Sequence, residues 1–69
     1  MVRHWMMEAR EAKGMTCKEA GELLDMSESY YYRIETGMGK KRFDLPFAVA
    51  VSKVLGVPLT EIIDREGIV

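Results

Sequence analysis

Residues 16–37 read TCKEAGELLDMSESYYYRIETG, and two helix starts stand in this one short stretch. Thr16 offers a hydroxyl to the amides of a first turn. Glu19, three residues on, is placed to reach back to the Thr16 amide, the reciprocal arrangement of a capping box. Ser27 offers the same kind of cap to the segment that follows, and Thr36-Gly37 ends it. Between the caps, Ala20, Leu23 and Leu24 are expected to face inward, the first helix ends near Asp25, and Met26 is a short connector. The stretch therefore predicts two short helices joined by a very tight turn.

The second of these helices holds three consecutive tyrosines. With Ile34 placed at zero on a wheel of about 100° per residue, Tyr31 falls about 60° to one side and Tyr30 about 40° to the other. Both are expected in or beside the buried stripe, with their hydroxyls needing partners at its boundary. Tyr32 falls on the opposite side beside Ser29 and Thr36, with Glu28 and Arg33 on the flanks. A helix with that outer face, hung on a tight turn from another helix, suits the major groove of DNA, where hydroxyl and guanidinium groups meet base edges and phosphates. The alternative is an ordinary solvated face.

Outward from this pair, Met6, Ala9 and Ala12 recur at helical spacing among Glu8, Arg10, Glu11 and Lys13, so a first helix runs from Trp5 to Gly14, where a left-handed cap is wanted. Residues 37–43 form a loop. Asp44 caps a fourth helix with Pro46 in its first turn, where amide donors are spare. Leu45, Ala48, Val49, Val51, Ser52 and Leu55 make that helix apolar over much of its surface, and Gly56 closes it. Val57-Pro58 breaks the chain, and Thr60-Glu61-Ile62-Ile63 is a short last helix. No repeat, low-complexity tract or sustained strand pattern occurs. One all-α domain of five helices over residues 1–69 is expected.

A chain of 69 residues buries only about 60% of its unfolded surface. Its single cysteine, Cys17, excludes an internal disulfide and fits a reducing compartment. The opening MVRHWMMEAR is interrupted by Arg3, His4, Glu8 and Arg10, so it does not read as a signal peptide, and no segment approaches the roughly 20 apolar residues of a membrane span. A cytoplasmic domain without membrane contact is expected. The net charge of −1 is unlike the usual basic balance of a nucleic-acid binder, so positive charge has to be concentrated locally, as in Lys40-Lys41-Arg42. GMGK at residues 37–40 is too short for a phosphate-cradling loop. His4 has no companion ligands for a metal, and one histidine with scattered serines makes no catalytic triad. Neither enzymatic activity nor a metal nor a cofactor is expected. Cys17 opens a helix, where a lowered thiol pKa and a redox role are conceivable; a small residue in a first turn is the plainer reading.

The segment EAREAKGMTCKEAGELLDMSESYYYRIETG, followed by an apolar helix ending VSKVLGVPLTEI, resembles the lambda-repressor/Cro-like (XRE-type) helix-turn-helix family. The likeness covers about residues 5–64 and is most specific in AKGMT, the Ser27-Glu28-Ser29-Tyr30 opening, RIETG and VLGVPLTEI. It implies a compact five-helix lambda-repressor-like domain with the helix-turn-helix at helices two and three, and binding to double-stranded DNA. By the resemblance, Cys17 and Lys18 lie near the phosphates at the start of helix two. Ser27, Glu28, Ser29, Tyr32, Arg33 and Thr36 belong to the reading helix, and Lys40, Lys41 and Arg42 lie where the family's loop passes the sugar-phosphate backbone. Arg10 and Glu35 resemble the opposite charges that tie helix one to helix three in relatives.

The chain departs from the family pattern at several positions. Glutamine is usual where Cys17 stands, alanine at Gly21 and glycine at Asp25, and the loop after Gly37 is about two residues longer. Glu28 puts a carboxylate near phosphates; accepting from a cytosine amino group or pairing with Arg33 would accommodate it. The apolar tail residues Leu59, Ile62, Ile63, Ile68 and Val69 are expected to form part of a twofold homodimer interface, with folding back on helix one as the alternative. Such a dimer favours a palindromic operator with half-sites about one turn apart. The functional expectation is a sequence-specific repressor of phage or mobile-element type with no small-molecule effector. The competing one is a protein-interaction module on the same fold, an antirepressor or antitoxin-like partner, which the acidic balance, Glu28 and Tyr32 favour.

Overall fold

Three side chains open helices at the positions their chemistry predicts. In the computed structural model, which describes residues 2–38 and 42–68, Thr16 Oγ1 accepts from the Glu19 amide at 3.1 Å while Glu19 Oε1 accepts from the Thr16 amide at 2.9 Å. Ser27 Oγ accepts from Tyr30 N at 3.1 Å, and Asp44 Oδ1 from Phe47 N at 2.9 Å. The elements are α1 (His4–Ala12), α2 (Cys17–Leu23), α3 (Glu28–Thr36), α4 (Leu45–Leu55) and α5 (Leu59–Glu66), with no strand among the described residues. The last helix runs past the expected Thr60–Ile63 in both directions. Glu61 and Arg65 pair across one of its turns at 3.0 Å.

The turn between α2 and α3 depends on two backbone details. Asp25 adopts a left-handed φ of 61°, a conformation an aspartate tolerates better than most side chains. Gly21 lies so close to the incoming chain that a Cβ on it would sit 3.1 Å from both Met26 O and Ser27 O. The missing side chain lets α2 press on the turn itself, and Met26 N closes it with a 2.9 Å bond to Gly21 O.

Met6, Ala20, Tyr31, Ile34, Phe43, Ala48, Val51, Leu55 and Ile62 form the core, with contributions from every helix. α2 packs chiefly on α3, and α5 on α4. Leu23, expected inside, is 63% exposed, and Leu45 of the largely apolar α4 is 49% exposed. On α2 the inward arc is set by Cys17, Ala20, Gly21 and Leu24, which leaves Leu23 about 110° from its centre. Leu45 is the first residue of α4 and lies about 90° from the arc of Ala48, Val51 and Leu55. Tyr30, expected at the core edge, is 45% exposed. The buried arc of α3 is centred between Tyr31, Ile34 and Glu35 rather than on Ile34, and Glu35 draws it away from Tyr30.

The tail folds onto its own domain. Ile62 is fully buried, and Leu59 and Ile68 pack against the core, while Ile63 is half-buried. Ile62 is therefore not available to the dimer interface expected of it, while Leu59, Ile63 and Ile68 keep part of their surface; Val69 lies outside the described residues. Arg3 explains how the tail is held. Its side chain is nearly buried, donates from Nε to Glu66 Oε1 at 3.0 Å and from Nη1 to Ile34 O at 2.8 Å, and lies 4.8 Å over the Phe43 ring. Trp5 Nε1 donates to the other Glu66 oxygen at 3.0 Å, and its ring meets Phe43 edge-on. This fold-back on the start of helix one is what satisfies the apolar tail.

Candidate nucleic-acid interface

α3 is presented on a fixed mount. Arg10 of α1 donates from Nε to Glu35 Oε2 at 3.0 Å and from Nη2 to Glu35 Oε1 at 3.1 Å, while Nη1 donates to Met15 O at 2.9 Å. Glu35 is 1% exposed, and the two-pronged fork is the strong form of such a pair. The hydrogen-bonded Glu35 carboxylate holds the Arg10 guanidinium well above its ordinary pKa, although burial opposes the shift. Tyr31 lies beside the same carboxylate, but its buried hydroxyl makes no hydrogen bond of acceptable geometry. Burial first, and Glu35 second, push its pKa up. Arg3 adds a third tie, because its backbone N donates to Glu35 O at 2.8 Å and its side chain caps Ile34 O.

With Tyr31, Ile34 and Glu35 turned inward, the opposite side of α3 is free. Ser29 and Arg33 lie near the middle of that face, and the exposed rings of Tyr32 and Tyr30 flank it on either side. Tyr30 is a displayed residue that the wheel had assigned inward. Ser27 is exposed and uses its oxygen to cap α3. Thr36 is half-buried and turns its hydroxyl back to Tyr32 O at 2.8 Å and Arg33 O at 3.3 Å. That commits its proton to the helix. Lys18 is exposed near the start of α2.

Thr16, Cys17, Glu28, Ser29, Tyr32 and Arg10 line an open depression of about 530 Å³ where the starts of α2 and α3 meet. The structure brings these predicted residues of two helices together. Glu28 makes no ion pair with Arg33 or with any other described residue. The thiol of Cys17 is pushed above its ordinary value, first by burial and then by Glu35. That direction is opposite to the lowered pKa considered for a thiol opening a helix, and it fits the plainer reading of Cys17 as a small residue in a first turn. Arg42 is exposed and lines a separate hollow with Phe43, Asp44 and Ile68. Lys40 and Lys41 fall outside the described residues.

A tight-turned helix pair, its second helix anchored by a part-buried arginine–glutamate fork and showing a polar outer face, is the arrangement that the family resemblance implied. A family model described as helix-turn-helix matches residues 6–62. The chain belongs to the lambda-repressor/Cro-like helix-turn-helix family. Helix-turn-helix membership makes the protein a DNA-binding regulatory domain, with double-stranded DNA as its ligand. Neither the curated proteins nor the solved structures contain a match to the chain. Within this helix-turn-helix domain no helix of the described residues is long and apolar enough to cross a membrane. Sequence reasoning had no signal for the roles of Arg3 and Glu66, because an arginine ahead of a helix and a glutamate at a helix end read as surface charges until the chain ends meet.

Proposed function

We propose that the protein is a sequence-specific regulator that reads the major groove of double-stranded DNA with α3. The observation that carries this reading is the outer face of α3: Ser29, Tyr32 and Arg33 are exposed on a helix whose inner face is held by the Arg10–Glu35 fork. Major-groove base edges offer acceptors to Arg33 and mixed partners to Ser29. Lys18 and the basic run Lys40-Lys41-Arg42 supply phosphate contacts, which position the domain without reading sequence. Occupation of an operator then gives repression, and the family favours a repressor of phage or mobile-element type.

The longest dimension of the molecule is 29 Å, less than the roughly 34 Å of one DNA turn, so one copy addresses one half-site. A twofold pair on a palindromic operator completes the reading. With Ile62 in the core, Val2, Leu23, Met38 and Leu45 are exposed apolar side chains among the described residues that such an interface could use.

Binding to random duplex DNA over a range of salt tests the proposal. Phosphate contacts give a log–log slope of about −0.9 for each contact. Arg33→Ala is expected to relax base preference, and Lys41→Ala to weaken all sequences alike. A second reading, an interaction module such as an antirepressor or antitoxin-like partner, draws on Glu28, unpaired among the described residues, and on the exposed Tyr30, Tyr32 and Met38. Negligible binding at any salt would select it.

A further inference from the structure

The depression between the starts of α2 and α3 is lined by two charged side chains, Arg10 and Glu28. All three guanidinium nitrogens of Arg10 are engaged, two on Glu35 and one on Met15 O, so its charge is already matched. Glu28 is exposed and, among the described residues, has neither an ion pair nor a side-chain hydrogen bond. Among the described residues the depression therefore carries one uncompensated charge, and it is negative. It is placed at the first residue of α3, beside Ser29 and Tyr32.

A bare carboxylate facing DNA is repelled by phosphates and by most base edges. In the major groove guanine shows two acceptors and thymine one, both unfavourable to a group that only accepts. Adenine offers its N6 amino donor next to the N7 acceptor, so a carboxylate placed to take the first meets the second. Cytosine alone shows an N4 amino donor with no acceptor of its own beside it. We propose that Glu28 is a specificity-determining residue that selects cytosine at one position of each half-site by accepting a hydrogen bond from its N4 amino group. This rests on α3 reading the major groove, as proposed above, and adds which base the acidic position reads. The competing role for Glu28 is local: a carboxylate in the first turn complements the helix dipole and touches no base.

Glutamine separates the two roles, since it has the shape of glutamate but carries both a donor and an acceptor, the pattern that matches adenine N7 and N6. The experiment is selection from a randomised duplex pool by the parent protein, Glu28→Gln and Glu28→Ala, with circular dichroism to confirm that all three fold. The parent is expected to enrich a motif with an invariant cytosine, Glu28→Gln to change that one position to adenine, and Glu28→Ala to lose preference there, with the other positions unaltered. Duplexes differing at that base pair should be separated about 10-fold by the parent and hardly at all by Glu28→Ala. An identical motif from all three proteins would overturn the inference while leaving the major-groove reading intact. A parent that enriches no motif would overturn the reading of α3 itself, and this inference with it.

Discussion

The Tyr31 hydroxyl is the least well-served atom of the described core: buried beside Glu35 and without a well-formed hydrogen bond. Leaving such a group unpaired costs about 1–3 kcal/mol, so Tyr31→Phe is expected to raise stability by about 1 kcal/mol in urea unfolding at neutral pH. Its titration adds a second signature. The folded-state pKa is raised above the ordinary tyrosine value of about 10, so the unfolded chain releases the phenolic proton first and stability falls as pH rises beyond that value. Cys17, raised above 9.0, acts in the same direction. Tyr31→Phe should therefore flatten the alkaline loss without abolishing it; a parent no less stable at pH 11 than at pH 8 would contradict this. Arg10→Ala is the opposite case. It strands a carboxylate that is 1% exposed, and breaking a buried pair in this way costs about 3–5 kcal/mol, which thermal unfolding would register.

Helix ends and the turn between helices account for the next level. Thr16, Ser27 and Asp44 cap α2, α3 and α4 through contacts within one turn of chain, and such contacts are legible from residue order. Gly21 stood out in the sequence only as a departure from the alanine usual in the family, and its reason is tertiary: the atoms a Cβ would strike are backbone carbonyls of the turn. Gly21→Val is expected to destabilise by about 3 kcal/mol through overpacking and the poor fit of a β-branched residue. Calorimetry that found it neutral would show that the turn can yield. Leu23 and Tyr30 were misplaced for different reasons. On α2 the inner arc is taken by Cys17, Ala20, Gly21 and Leu24, and on α3 a wheel centred on the most apolar residue ignores the buried Glu35, which takes part of the inner arc.

For the whole molecule the tail is the informative part. A cluster of apolar residues at one end of a small chain is compatible with a dimer surface or with a fold-back, and composition cannot separate them. Arg3 and Trp5 meet Glu66 and settle the tail onto α1 and the core. Ile62→Ala is therefore expected to lower stability by about 2–5 kcal/mol, the range for such truncations in a core, without changing the mass measured by sedimentation. A variant as stable as the parent but of lower mass would return Ile62 to an interface. Arg3→Ala should also destabilise, because it removes a carbonyl cap from α3, a partner from Glu66 and the cation over Phe43 together.

Five helices, three of their caps, the tight turn and the family were all readable from residue order, because capping, periodicity and turn chemistry act over a few residues. The exposure of Ser29, Tyr32 and Arg33 followed from the same periodicity. The Arg10–Glu35 pair was also legible, through the family resemblance. Tertiary structure alone decided that Arg3 meets Glu66, because those residues lie at opposite ends of the described chain and a charge is compensated only by what folding brings beside it. The same folding left Glu28 without a partner among the described residues in the depression at the start of α3.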